Sequence, residues 1–159
     1  MASSLLSFAT SAIFSSLSAA ADHVKGWTKN IHWVSLKEGQ RMAREQKRPA
    51  MIVFHKPWCR ACKALRPRFA NNQEIEALSN DFIMISVEDD EIPQSVELSP
   101  DGSYIPRILF LDPDGNVLSN VYNLKGNKQY KYYYPETASI VDSMKQVLKQ
   151  TTVRHLKTK

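Results

Sequence analysis

The run Ala50-Met51-Ile52-Val53-Phe54 passes directly into His55-Lys56-Pro57-Trp58-Cys59-Arg60-Ala61-Cys62-Lys63-Ala64-Leu65-Arg66-Pro67, and no other stretch restricts the fold as much. The apolar run has the length of one buried strand, and the residues after it read as helix as far as Ala70. Cys59 therefore stands where a strand hands over to a helix. A second apolar run, Phe82 to Val87, predicts another buried strand, and strand, helix and parallel strand make a crossover unit. The class this defines is α/β, a central mixed β-sheet flanked by helices. In such sheets the reactive edge lies beyond the carboxyl ends of the strands, where Cys59 falls.

A thiol at a helix N-terminus meets unpaired backbone N–H groups and the positive end of the helix dipole, and both favour thiolate over thiol. Cys59 is thus the expected nucleophile. Cys62 comes three residues later on the same helical face, placed to attack a mixed disulfide formed at Cys59 and release the product. Half a zinc site and a purely structural disulfide are the competing readings of the pair. Zinc lacks a second cysteine pair, and His23, His32, His55 and His155 are scattered without ligand spacing. A disulfide closing so small a loop would constrain the unfolded chain little.

The chain of 159 residues suits one domain with a sizeable core. Its formal charge is +5, unevenly spread. From Lys25 to Arg68 there are twelve Lys/Arg against two acids, and from Phe69 to Asn116 one Arg against eleven acids. Nucleic-acid binding is not expected: zinc-finger spacing, a ribonucleoprotein-type aromatic motif and a Gly-rich basic tail are all missing, and solvated faces explain the charge. Arg60, between the cysteines, is expected to lower the Cys59 pKa further and make the disulfide more oxidising.

Residues 1–21 carry no charged side chain and contain an apolar stretch from Leu5 to Phe14, followed by Ala19-Ala20-Ala21. This reads as a cleaved secretory signal, too short and Ser-rich for a membrane span. Residues 22–159 form the predicted domain, with a core of about 26–150. Ile31 to Val34 predicts a short strand, and Ser35-Leu36-Lys37-Glu38 a capping box opening a helix that buries Leu36, Gly39 and Ala43 and stops before Pro49. A kink is expected at Pro67. Asn71 or Asn72 caps a short helix through Glu74, Ile75 and Leu78.

The acidic loop Glu88-Asp89-Asp90-Glu91 lacks the ligand order of a calcium loop and reads as solvated. Arg107 to Leu111 predicts a strand, and Asp112-Pro113-Asp114-Gly115 a hairpin turn into a second strand from Val117 to about Tyr122. Tyr130 to Tyr134 reads as aromatic edges against the sheet, with a ligand-stacking surface as the other reading. A last helix begins near Pro135-Glu136-Thr137 and buries Ile140, Met144, Val147 and Leu148. From Thr151 the basic tail is expected to fray.

Trp58-Cys59-x-x-Cys62-Lys63 after a buried strand, Pro67 beyond the pair, and Ile105-Pro106 before a hairpin together resemble the thioredoxin superfamily. The resemblance narrows with His55-Lys56-x-Trp58-Cys59-x-Ala61-Cys62-Lys63-Ala64-Leu65, Asn72-x-Glu74-Ile75, Ser99-Pro100-Asp101-Gly102-x-Tyr104-Ile105-Pro106-Arg107-Ile108-Leu109-Phe110-Leu111-Asp112-Pro113 and Tyr130-Lys131-Tyr132. These are similar to the endoplasmic-reticulum thioredoxin-like branch that includes the anterior gradient proteins, over roughly Gly26 to Gln150. The implied fold is a single thioredoxin-like domain, and the implied activity is protein thiol–disulfide oxidoreduction, including glutathione-coupled disulfide reduction.

The resemblance also implies site roles. Pro106, preceded by a cis bond and lying against the cysteines, would position substrate with Ile105, and Trp58 would shield one side of the pair. Thioredoxins bury an acid six residues before the first cysteine; here that position is Val53, so deprotonation of Cys62 falls to water, Glu88 or His55. His55 and Arg60 are the groups expected to tune the pair. No metal or organic cofactor is implied, with glutathione as redox co-substrate. The expected partners are client proteins with cysteines or disulfides, and glutathione or a partner oxidoreductase restores the resting state. Anterior gradient relatives often keep only the first cysteine, so Cys62 favours the catalytic branch over a client-binding module without turnover. The member of that branch which these motifs most resemble carries Gly at the position of Arg60 and ends in a retention tetrapeptide. This sequence ends His155-Leu156-Lys157-Thr158-Lys159, which makes the expected location the endoplasmic-reticulum lumen or the exterior.

Overall fold

The six residues of Ala50–His55 are all buried, because this strand lies inside a sheet covered on both faces. The structure is a computed structural model that describes residues 27–28, 30–88, 91 and 93–157. The elements run β1 (Trp33–Val34), α1 (Leu36–Gln46), β2 (Ala50–His55), α2 (Arg60–Ala70), α3 (Gln73–Ser79), β3 (Ile83–Glu88), β4 (Arg107–Leu111) and α4 (Thr137–Lys157). The sheet order is β1-β3-β2-β4. β3 is parallel to both β1 and β2, and β4 is antiparallel to β2.

Side chains alternate across β2, which makes two cores. Met51 and Val53 pack with Leu65, Phe69, Ile140 and Met144, on the face covered by α2 and α4. Ile52 and Phe54 pack with Ala43, Ile85 and Leu109, on the face covered by α1. Ser35 Oγ accepts the Glu38 N–H to open α1, and Lys47, left-handed at φ 52°, closes it by donating to the Ala43 carbonyl. Asn72 caps α3, accepting from the amides of Glu74 and Ile75 at 3.0 and 2.9 Å.

As expected, α2 is helical as far as Ala70 with Pro67 inside it, and the carbonyl that Pro67 deprives of a helical partner belongs to Lys63, an exposed residue. Two expectations are altered. The predicted hairpin shrinks to a single bridge, Leu111 to Val117. Asp112 explains this: its carboxylate accepts from the backbone N–H groups of Asp114 and Asn116, so the turn closes on itself. After Leu118 donates to Phe110 the chain curls away, with Val121 donating to Leu118, and Ile108 instead donates to the Tyr132 carbonyl. Tyr132 and Tyr134 are buried, so the Tyr-rich segment serves as packing along the sheet edge. The tail is helical to Lys157, because Arg154 reaches back to Asp112 at 2.9 Å and secures the last turns. The leader 1–21, Asp89 and Asp90 of the acidic run, and the final two residues lie outside the described residues. Among the described residues no helix is long and apolar enough to cross a membrane.

Candidate active site

Lys56 to Cys59 form a turn closed by the Cys59 N–H donating to the Lys56 carbonyl at 3.3 Å. Cys59 is extended, at φ −70° and ψ 120°, and caps α2 with its own sulfur: Sγ accepts the Cys62 N–H at 3.2 Å. The sulfur thus answers one of the backbone N–H groups that a helix N-terminus leaves unpaired. Both cysteines are free thiols. Cys59 keeps 8% of its surface in solvent, whereas Cys62 has none. The geometry thus separates an accessible sulfur from an enclosed one a single helical turn away.

Burial pushes the Cys62 thiol up to about 12, with the hydrogen bond to Cys59 adding to the effect; the Lys56 backbone and the Arg66 charge pull the other way. Trp58 stands out beside the pair, 69% exposed, with the Lys56 ammonium 4.7 Å from the ring centre. Arg60 is exposed.

β4 brings the second part of the site. Arg107 pairs with Phe54, so Pro106 lies at the same end of the sheet as His55 and the cysteine turn. The Ile105–Pro106 peptide is cis, Pro106 is buried and Ile105 is half-buried. Arg107 is wholly enclosed, its guanidinium 4.1 Å from the Phe54 ring centre. It donates to the carbonyls of Leu98 and Tyr104 at 3.0 and 2.9 Å and to Ser99 Oγ at 3.2 Å. Burial lowers its pKa. These bonds tie the 98–104 loop to the strand that begins after Pro106. Asp101 braces the loop from the other side, accepting from Tyr104 Oη at 2.8 Å and from the Lys131 amide at 2.8 Å.

Beneath the turn lies a buried polar chain. His55 has no solvent exposure; its Nε2 is 2.8 Å from Ser86 Oγ, and its Nδ1 is 3.5 Å from Arg66 Nη2. Trp27 packs edge-on against the imidazole, ring centres 5.5 Å apart. Glu88 lies opposite His55 in the β2–β3 register. Ser86 stands opposite Val53, the position where thioredoxins place their acid. Sequence reasoning gave Arg66, Ser86 and Arg107 no role. Ser86 was signalled as the polar residue inside the run Phe82 to Val87, and Arg66 by its place four residues after Cys62.

A mixed sheet between helical layers, with a cysteine pair at the start of the helix after the central strand and a cis-proline at the same sheet end, defines a class, and comparison with known proteins agrees. The chain belongs to the thioredoxin-like family, whose profile matches residues 32–113. Among curated proteins it is similar to anterior gradient protein 3 of Mus musculus, 37% identical over 127 residues covering 79% of this chain and 76% of the relative. It is also similar to the anterior gradient protein 2 homolog of Homo sapiens, 32% identical over 126 residues covering 79% of this chain and 71% of that one. A thioredoxin from Thermus thermophilus superposes with a TM-score of 0.57 at 19% identity, over 75% of this chain and 88% of the other, which bears on the fold.

Proposed function

We propose that this protein is a protein thiol–disulfide oxidoreductase working by dithiol–disulfide exchange. The observation that carries the reading is the pairing of Cys59, whose sulfur accepts the Cys62 amide at the helix N-terminus, with Cys62 enclosed behind it. Cys59 thiolate attacks a client disulfide. A Cys59–client S–S bond forms, the client S–S bond breaks, and the departing client sulfur takes a proton from solvent. Cys62 then loses its proton and attacks Cys59; the intramolecular disulfide forms and the client leaves as a thiol, having gained two electrons in all. Two molecules of glutathione, or a partner dithiol, return the pair to the reduced state and leave oxidised.

Pro106 and Ile105 position the client backbone beside Cys59, and Trp58 offers an exposed aromatic wall against it. Arg60 supplies positive charge at the helix start, with an effect limited by its exposure. The Cys62 proton passes to water, with Glu88 at the end of β3 as the side chain that relays it. The leader read in residues 1–21 directs the domain into the secretory pathway.

The test is reduction of a disulfide-bonded client by glutathione in the presence of the full chain. The wild type turns over repeatedly, while Cys62→Ser accumulates a client mixed disulfide and loses most of its rate. Unchanged turnover by Cys62→Ser would rule the mechanism out. The similarity to anterior gradient proteins favours one second reading, a module that holds clients without turnover. On that reading the wild type itself accumulates the mixed disulfide.

A further inference from the structure

Arg66 has no part in the exchange steps themselves, yet its surroundings are unusual for a surface arginine. It lies four residues beyond Cys62 on α2, a spacing that sets the two side chains on one helical face, with Cβ atoms about 5–6 Å apart. Long helical side chains lean toward the helix N-terminus, so Arg66 covers the turn that carries Cys62. Its partners lie in that direction: Nη2 donates to the Lys56 carbonyl at 3.2 Å and meets His55 Nδ1 at 3.5 Å. Arginine has only donors, which makes Nδ1 the acceptor and leaves Nε2 to donate to Ser86 Oγ. Ser86 on β3 therefore orients His55, and His55 orients the guanidinium.

The Arg66 guanidinium lies 6.0 Å from the centre of the Trp27 ring. Among the described residues no carboxylate pairs with it, and its buried Nε has no hydrogen-bond partner. A half-buried cation with an unanswered donor is a place where an anion is stabilised. The other ionisable groups on the elements packed there are Cys59 at the N-cap of α2, Arg60, Cys62, Lys63 and Arg68 on α2, His55 and Lys56 at the end of β2, and Glu88 at the end of β3. Of these, Cys59 and Cys62 react as thiolates, and Cys62 is the one that lies one turn before Arg66 on the same face of α2.

We propose that Arg66 is the positioning residue of the resolving step: held by the Lys56 carbonyl and the Ser86–His55 pair, its guanidinium stabilises the Cys62 thiolate that attacks the mixed disulfide at Cys59. The inference rests on the exchange reading and assigns the charge that opposes burial of the resolving sulfur. Arg66 gives up no proton. The Cys62 proton passes to solvent, the Cys59–Cys62 bond forms as the Cys59–client bond breaks, and the client sulfur leaves as a thiolate that solvent protonates. The charge of Arg66 is among the influences that lower the Cys62 pKa against burial.

The experiment mixes the reduced full chain with oxidised glutathione, quenches with acid, and tracks intact mass through two phases, glutathione addition at Cys59 and its release as the internal disulfide closes. Arg66→Met is expected to leave addition unchanged and to slow release about tenfold at neutral pH, the effect of one pKa unit, with the rise of the release rate displaced to higher pH. Arg66→Lys, which keeps the charge, is expected to recover part of the rate. Release by Arg66→Met at the wild-type rate, equal slowing of both phases, or a Lys variant no better than Met would overturn the assignment while leaving exchange intact. A wild type that adds glutathione and never releases it would overturn both.

Discussion

Taking the Cys62 thiol out of water disfavours its charged form. The thiolate fraction then rises tenfold with each pH unit below the pKa. The rate at which Cys62 resolves a mixed disulfide is therefore expected to climb steadily through the neutral range, which quenched-flow mass measurements at several pH values would track. A plateau near neutrality would contradict a thiol raised by burial. The cysteine pair was legible because its chemistry depends on local spacing, strand then helix. The Ser86–His55–Arg66 chain was not, because it joins residues from two strands and a helix, and only the β2–β3 register brings them together.

The elements explain why the site is stiff. Gly39 lets α1 approach β3 so closely that a Cβ there would fall 2.2 Å from Ile85 Cγ1. Gly39→Ala is expected to destabilise by about 1–3 kcal/mol through overpacking, more than the helix propensity it gains. Denaturant unfolding would measure it, and a stabilised variant would show that α1 is free to shift. Arg107 has the matching role for the 98–104 loop. Arg107→Leu leaves the Leu98 and Tyr104 carbonyls without their donor, so a loss of about 2–4 kcal/mol and weakened client turnover are expected; full stability would mean the loop does not depend on it. Strands and helices with clear apolar periods were readable, down to the Ser35 and Asn72 caps. The second hairpin strand was not, because the Asp112 side chain competes for the amides a hairpin would use.

Across the whole molecule the acidic block is tied to the rest by long-range ion pairs, Lys47–Asp114 to the basic block and Glu74–Lys145 and Asp112–Arg154 to the C-terminal helix, of which Asp112–Arg154 is the most enclosed, Asp112 being 7% exposed. Burial alone would raise the Asp112 carboxyl, but hydrogen bonds from Asn116, Arg154 and Asp114 outweigh it and hold the pKa below its usual value. A carboxyl depressed in the folded state contributes stability above its unfolded pKa, near 3.9, and that stability is lost as pH falls through the folded value. Thermal unfolding of Asp112→Asn below about pH 4 should lose stability less steeply than the wild type; parallel curves would remove Asp112 from the acid response. The same pair explains why the C-terminal helix outruns its apolar pattern, which fades after Leu148, with Arg154 held by a residue forty-two positions earlier.

Exchange through Cys59 and Cys62 is tested most directly by equilibrating the full chain with glutathione buffers of graded ratio and weighing the intact protein after acid quench. A species lighter than the dithiol by two hydrogens should replace it as the buffer becomes oxidising, with the Cys59 glutathione adduct only transient, and the midpoint gives the potential that sets the direction of exchange. A stable adduct at every ratio, with no internal disulfide, would contradict the account.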